Sequence, residues 1–176
     1  MAQLGVKITG LDKVLAKLGK DGKDGQKAVL AEISDELQVA AQDLRNKAVS
    51  KAPVNSGILR AGIEVEGKDL AWIVYTVAHY AGYQEFGTKT KVNVPPEMKT
   101  EADKFRNGKG SYKDFKQAIA EWMRSKGIPA ELLYPIMAKI MSVGINPKPF
   151  MYPSMQEVAK YIDKVIDKAI QRYLDK

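Results

Sequence analysis

The 176 residues include 45% hydrophobic and 28% charged side chains, ordinary values for a globular chain with enough apolar material for a core. With no cysteine, disulfides and thiolate chemistry are excluded, and no apolar run approaches the ~20 residues of a membrane span. The net charge of +7 allows an anionic partner or simply a soluble surface, and MAQLGVKITG lacks the basic-then-apolar pattern of a secretion signal.

Residues 4–9 (LGVKIT) read as a short strand and 10–18 as a short helix, followed by a Gly/Asp/Lys breaker over 19–25. A long helix is expected from about Gln26 to Lys51. Ile33, Leu37, Ala40, Ala41, Leu44 and Ala48 recur there at three- and four-residue spacing, with Glu32, Glu36, Asp43 and Lys47 opposite them. Pro53 ends this helix and disfavours helical geometry at Ala52. The APVNSG stretch is a turn in which Gly57 supplies backbone freedom. Two strands, 58–66 and 71–78, are expected around a connection near Gly67-Lys68-Asp69. Tyr80, Tyr83 and Phe86 then fall within reach of one side of a short helix that Gly87 stops.

Residues 87–116 carry eight cations against four anions, more than half of the net charge, together with Pro95, Pro96, Gly108 and Gly110; they read as an exposed basic loop. Beyond it, a helix over 113–126 has Phe115, Ile119, Trp122 and Met123 on its apolar side and stops at Gly127. The next helix carries Leu133, Ile136, Met137, Ile140 and Met141, and Pro135 requires either a late start or a kink. Gly144 ends it, and residues 145–152 are extended and Pro-rich. A final helix from about Ser154 to Leu174 places Val158, Tyr161, Ile162, Val165, Ala169 and Tyr173 on one stripe. Lys160, Lys164, Lys168, Arg172 and Lys176 form its polar row, mostly a solvated face with Asp163 and Asp167 between them. The pattern is α+β: a small antiparallel sheet packed against a long N-terminal helix and a C-terminal helix. It reads as a single domain, 1–176, in which 91–145 is an inserted basic loop plus helical hairpin.

Little in this chain points to catalysis, and no cofactor is expected. His79 is the only histidine and reads as structural. There is no GxxxxGK[ST] or GxGxxG; Gly108-Lys109-Gly110-Ser111 lacks the preceding strand and first glycine of a phosphate loop. Carboxylate pairs such as Glu64/Glu66 and Glu32/Glu36 are ordinary on solvated faces. The helix pair over 113–143 has the outline of a helix-turn-helix, but its second helix offers only Lys139 for base contacts, so a packing hairpin fits better.

Three stretches carry a family resemblance. They are Lys51-Ala52-Pro53-Val54-Asn55-Ser56-Gly57-Ile58-Leu59-Arg60, then His79-Tyr80-Ala81-Gly82-Tyr83-Gln84-Glu85-Phe86-Gly87-Thr88, then Lys148-Pro149-Phe150-Met151-Tyr152-Pro153 before the last helix. Their order, and the opening ITGLDKVLAKL, resemble the tail-component family of lambda-like Hong Kong phages, over about residues 5–90 and 146–174. Ser56 and the long segment 91–145 depart from the family pattern. The resemblance implies a structural virion protein of a tailed bacteriophage, not an enzyme. The implied role is a ring-forming tail-completion or tail-terminator subunit, or one of the head–tail joining neck. It also implies self-association with six-fold symmetry, neck and tail-tube neighbours, weak contact with DNA in a channel, and assembly in the bacterial host cytoplasm, with no membrane. Fold or interface candidates are Pro53, Gly57, Leu59, Tyr80, Tyr83, Glu85, Phe86, Gly87, Thr88, Pro149 and Phe150. In particular, Glu85 is expected to accept hydrogen bonds from backbone amides or from Thr88. A basic nucleic-acid-binding protein is the alternative reading.

Overall fold

Val29, Ile33, Leu37, Ala40, Ala41, Leu44 and Ala48 stack on one side of a helix, and all seven are buried. This helix, α1 (Gly22–Lys51), starts before Gln26, so Gly22–Gly25 are helical and not part of a breaker. A glycine costs a helix about 1 kcal/mol relative to alanine, too little at one end to offset a stripe this long. The computed structural model describes residues 3–5, 22–54, 57–78, 80–88, 94–106 and 112–175. The expected helix over 10–18, residues 6–9 of the first strand, and His79 lie outside them. The chain divides into two compact units. One comprises 1–53, 58–78 and 150–176, the other 54–57 and 79–149.

In the first unit, the short strand β1 (Gln3–Gly5) is one edge of a three-stranded antiparallel sheet, with β2 (Ile63–Lys68) and β3 (Ala71–Thr76) in the order β1-β3-β2. Ile63 pairs with Thr76 and Val65 with Val74; Ile63, Val74 and Thr76 are buried, while Glu64 and Glu66 on the other face are exposed. α1 packs against β2 and β3. The strand expected from residue 58 begins only at Ile63. Ile58–Ala61 instead form a helical turn, α2, closed by the Gly62 amide donating to the Ile58 carbonyl at 2.9 Å. Two interactions favour that turn. Leu59 is 2% exposed, and the Arg60 Nε donates to the Ala52 carbonyl at 3.0 Å, satisfying an orphan acceptor at the end of α1. The hairpin turn falls at Asp69-Leu70, between the paired Lys68 and Ala71; Asp69 takes φ +54, a conformation that aspartate tolerates better than most residues.

The expected single C-terminal helix is two. The chain becomes helical at Met151, three residues before Ser154, as α7 (Met151–Ala159), and breaks at Lys160-Tyr161 before α8 (Ile162–Leu174). Pro153 sits in the first turn of α7, where a missing amide costs nothing. Phe150 just before it is 1% exposed, and the Ser154 hydroxyl, fully buried, donates to the Phe150 carbonyl at 2.6 Å. At the break, Tyr161 leaves helical geometry with φ −125, and its phenol donates to the Asp43 carboxylate of α1. Lys51 pairs with Glu157 at 3.0 Å and Arg172 with Glu36 at 2.6 Å. Part of the α1 face expected to be solvated, Glu36 and Asp43, therefore meets α7 and α8.

The second unit is helical among its described residues. It contains α3 (Ala81–Phe86), α4 (Lys99–Arg106), α5 (Tyr112–Ser125) and α6 (Leu133–Val143), with 3-10 turns at Pro96–Met98 and Ala130–Leu132. The basic stretch 87–116 is thus no loop between Pro96 and Arg106. Met98 and Ala102, four apart among charged neighbours, are buried, and α4 packs on α3. That two-residue apolar signal is too sparse to register as periodicity. Pro135 occupies the first turn of α6, the late-start alternative, and α6 is approached through the 3-10 turn. Met123 and Met137 are each 2% exposed, whereas Trp122 keeps 37% of its surface in water.

Burial pushes the Asp43 carboxyl up, but hydrogen bonds from Tyr161 and Lys47 and the charges of Lys47 and Lys51 outweigh it, holding Asp43 below the usual carboxylate range. Burial and the Asp43 bond push the Tyr161 phenol up. A lowered carboxylate contributes stability that is present above its unfolded value, 3.8, and lost as pH falls through the folded one. The raised phenol contributes below its unfolded value, 10.0, and loses it as pH rises. Tyr161→Phe should therefore lower unfolding free energy by about 1 kcal/mol at pH 7, a charge-assisted bond discounted for partial exposure. In urea melts the difference from wild type should shrink below about pH 4.

Candidate functional site

The second motif and the start of the third, far apart in sequence, meet in the second unit. α3 ends at Gly87, whose φ +67 and ψ −176 fall in a region essentially restricted to glycine. α6 ends the same way at Gly144, with φ +88 and ψ −179. Each glycine turns the chain out of its helix, and the residues that follow them pair. The Thr88 amide donates to the Ile145 carbonyl at 3.0 Å, and the Ile145 amide donates to the Thr88 hydroxyl oxygen at 2.8 Å. Three residues on, the Lys148 amide donates to the Gln84 carbonyl at 2.6 Å. Everything between Thr88 and Ile145 is thus an excursion from one closed point, beginning and ending within three residues of the 91–145 segment singled out from sequence.

Around this closure the candidate residues take different roles. Phe86 (4% exposed) and Glu85 (7%) are buried with Ala81 and Gly82, whereas Tyr80 remains 37% exposed and Tyr83 half-buried. The aromatic set is therefore split, with Phe86 in the core and Tyr80 at the surface. Thr88 bonds to the backbone of Ile145. Pro149 is exposed and borders the closure. Pro53, Leu59 and Phe150 belong to the first unit, Leu59 and Phe150 as core and Pro53 half-buried after α1. Gly57 takes φ +81 before α2. The structure does not gather these eleven residues into one pocket. Pro53, Gly57, Gly87 and Thr88 hold turns and helix ends, and Leu59, Glu85, Phe86 and Phe150 are buried.

Two arginines were missed as structural elements. Arg60 reaches back to α1, and the Arg45 Nε donates to the Ile63 carbonyl at 2.8 Å, tying α1 to the start of β2. Nothing in a local pattern marks a guanidinium as a carbonyl cap. Among the described residues no cluster of histidine and carboxylate side chains is placed to hold a metal ion, and no helix is long and apolar enough to cross a membrane.

Glycine-terminated helices and backbone closures are thus what this motif region builds. Residues 12–87 match the model of the family described as "Bacteriophage HK97-gp10, putative tail-component", so this part of the chain is similar in sequence to that family. The match spans α1, the β2–β3 hairpin and α3, and it ends at the glycine where the excursion begins. No curated protein and no solved structure gives a significant match to the chain.

Gly87→Ala should destabilise the protein by roughly 1–3 kcal/mol, because an alanine must adopt the glycine-only conformation. Thr88→Val, which removes only the hydroxyl acceptor, should cost about 1 kcal/mol. Thermal melts measure both, and limited proteolysis should report faster cleavage near the closure.

Proposed function

We propose that the protein is a ring-forming structural subunit of a tailed-phage virion, acting in tail completion or at the head–tail joint. One observation carries this reading: residues 12–87 match a phage tail-component family. Such a subunit needs a rigid frame and separate contact surfaces, because a closed ring is built from two unlike patches on each copy. Its partners are further copies of itself, in a ring of six on the family resemblance, and the neck and tail-tube proteins above and below. DNA in the channel is a weak contact.

Light scattering on the native protein over a range of concentrations, with negative-stain imaging of the heaviest species, tests the proposal. The expected outcome is a discrete closed ring, or a monomer that converts to one as concentration rises. A strict monomer or dimer throughout would refute it. The excess of cations favours the second reading, nucleic-acid binding. That reading predicts tight DNA binding by the single subunit, falling steeply with salt as counterions are released. The ring reading predicts weak binding at most.

A further inference from the structure

Helices α5 and α6 leave a stretch of apolar surface in water. Tyr112, Tyr134, Met137, Ala138, Met141 and Ser142 line an open groove of about 550 Å³. Tyr112, Tyr134 and Met141 are 56%, 59% and 50% exposed. Tyrosine and methionine are enriched where proteins meet, and methionine adapts to the shape of a partner. Lys116 stands at the rim, donating to the Tyr134 hydroxyl oxygen at 3.0 Å, its ammonium 5.2 Å from the ring centre. Lys113, three residues earlier on α5, is exposed. The unit that holds the groove has twelve Lys and Arg against seven Asp and Glu, so it carries most of the chain's net charge.

The sheet of the first unit presents the opposite character. Its outer face has Ile73 and Tyr75, both half-buried, in register with the exposed Glu66 and Glu64. The Tyr75 hydroxyl donates to Glu64 at 2.9 Å, orienting that carboxylate at the margin of the patch. Gln3 and Gly5 of β1 pair with Tyr75 and Ile73, and Lys68 lies beyond Glu66 at the hairpin end of the same face of β2. The chain therefore carries an apolar groove with a cationic rim and an apolar sheet face with an anionic rim. They are unlike, complementary in charge, and lie on different units.

We infer that the α5–α6 groove of one copy seats the outer sheet face of the next, with Glu64 and Glu66 facing Lys113 and Lys116. This contact rests on the ring reading and names its two surfaces. It is heterologous, so successive copies extend in one direction until the ring closes. Complementary charge selects the register and disfavours groove-to-groove and sheet-to-sheet encounters, where like charges meet.

The experiment uses the full chain in two charge-reversed forms, Glu64→Lys with Glu66→Lys, and Lys113→Glu with Lys116→Glu. Each alone should raise the concentration at which rings form by about tenfold or more. An equimolar mixture should recover assembly, because each reversed sheet then meets a reversed groove. Circular dichroism confirms that both forms are folded; if either is not, Met141→Asp on the exposed groove wall should weaken assembly to a similar degree. A wild type that never assembles refutes the ring reading and this contact with it. A wild type that assembles while the reversed forms assemble equally well, or while their mixture fails to recover, refutes the contact alone. A change in monomer melting temperature with no effect on assembly would show the two surfaces closing within one chain, and would overturn the inference.

Discussion

Helix α1 must cover two partners with one surface. At 30 residues and 1.5 Å per residue it runs about 45 Å. One side of it is the wall on which the β2–β3 hairpin rests, and it is also the wall for α7 and α8. Neither partner would stand without it. A three-stranded sheet with a three-residue edge strand has too little buried surface to persist alone, and two helices of 9 and 13 residues are marginal in isolation. The small alanines at 40, 41 and 48 let neighbouring elements approach α1 closely, while Ile33, Leu37 and Leu44 supply apolar area.

Where apolar contact gives out, polar groups take over at the margins of the same helix. Asp43 with Tyr161, Glu36 with Arg172 and Lys51 with Glu157 lie along α1 where it faces α7 and α8. Exposed ion pairs contribute little individually. Their effect here is on register: a sliding of α8 by one turn would separate two carboxylates of α1 from their partners. The break at Tyr161 is part of that register, since a continuous helix would carry the phenol away from Asp43.

The long helix, its buried stripe, the β3 strand, the short aromatic helix and the hairpin over 113–143 were all legible in the sequence, because each is written in repeated apolar spacing. The readings that failed did so where a single long-range contact outweighs local preference. Ile58–Ala61 looks like strand by composition, yet Leu59 burial and the Arg60 cap make it a helical turn. Gly22 and Gly25 look like breakers, yet the helix extends through them. Lys160-Tyr161 carries no breaker residue, and the Tyr161 phenol at the break bonds to Asp43 on another helix. α4 was invisible because its buried side is Met98 and Ala102 alone. For the candidate site, the glycines were identified as positions that hold turns or helix ends. What no spacing revealed was that Gly87 and Gly144 form a matched pair, since the 57 residues separating Thr88 from Ile145 exceed any periodicity.

That matched pair separates two design problems that most chains must solve together. Closing a loop costs entropy that grows only with the logarithm of its length. Once Thr88 and Ile145 are bonded, the content of the excursion is therefore almost free to vary in size. Drift in the excursion leaves the path of the chain on either side unchanged, and the frame does not need to be re-solved when the excursion acquires a helix or loses one. Novelty in such a molecule accumulates at a single anchored locus, much as an appendage grows from one joint, while the frame on either side keeps its path.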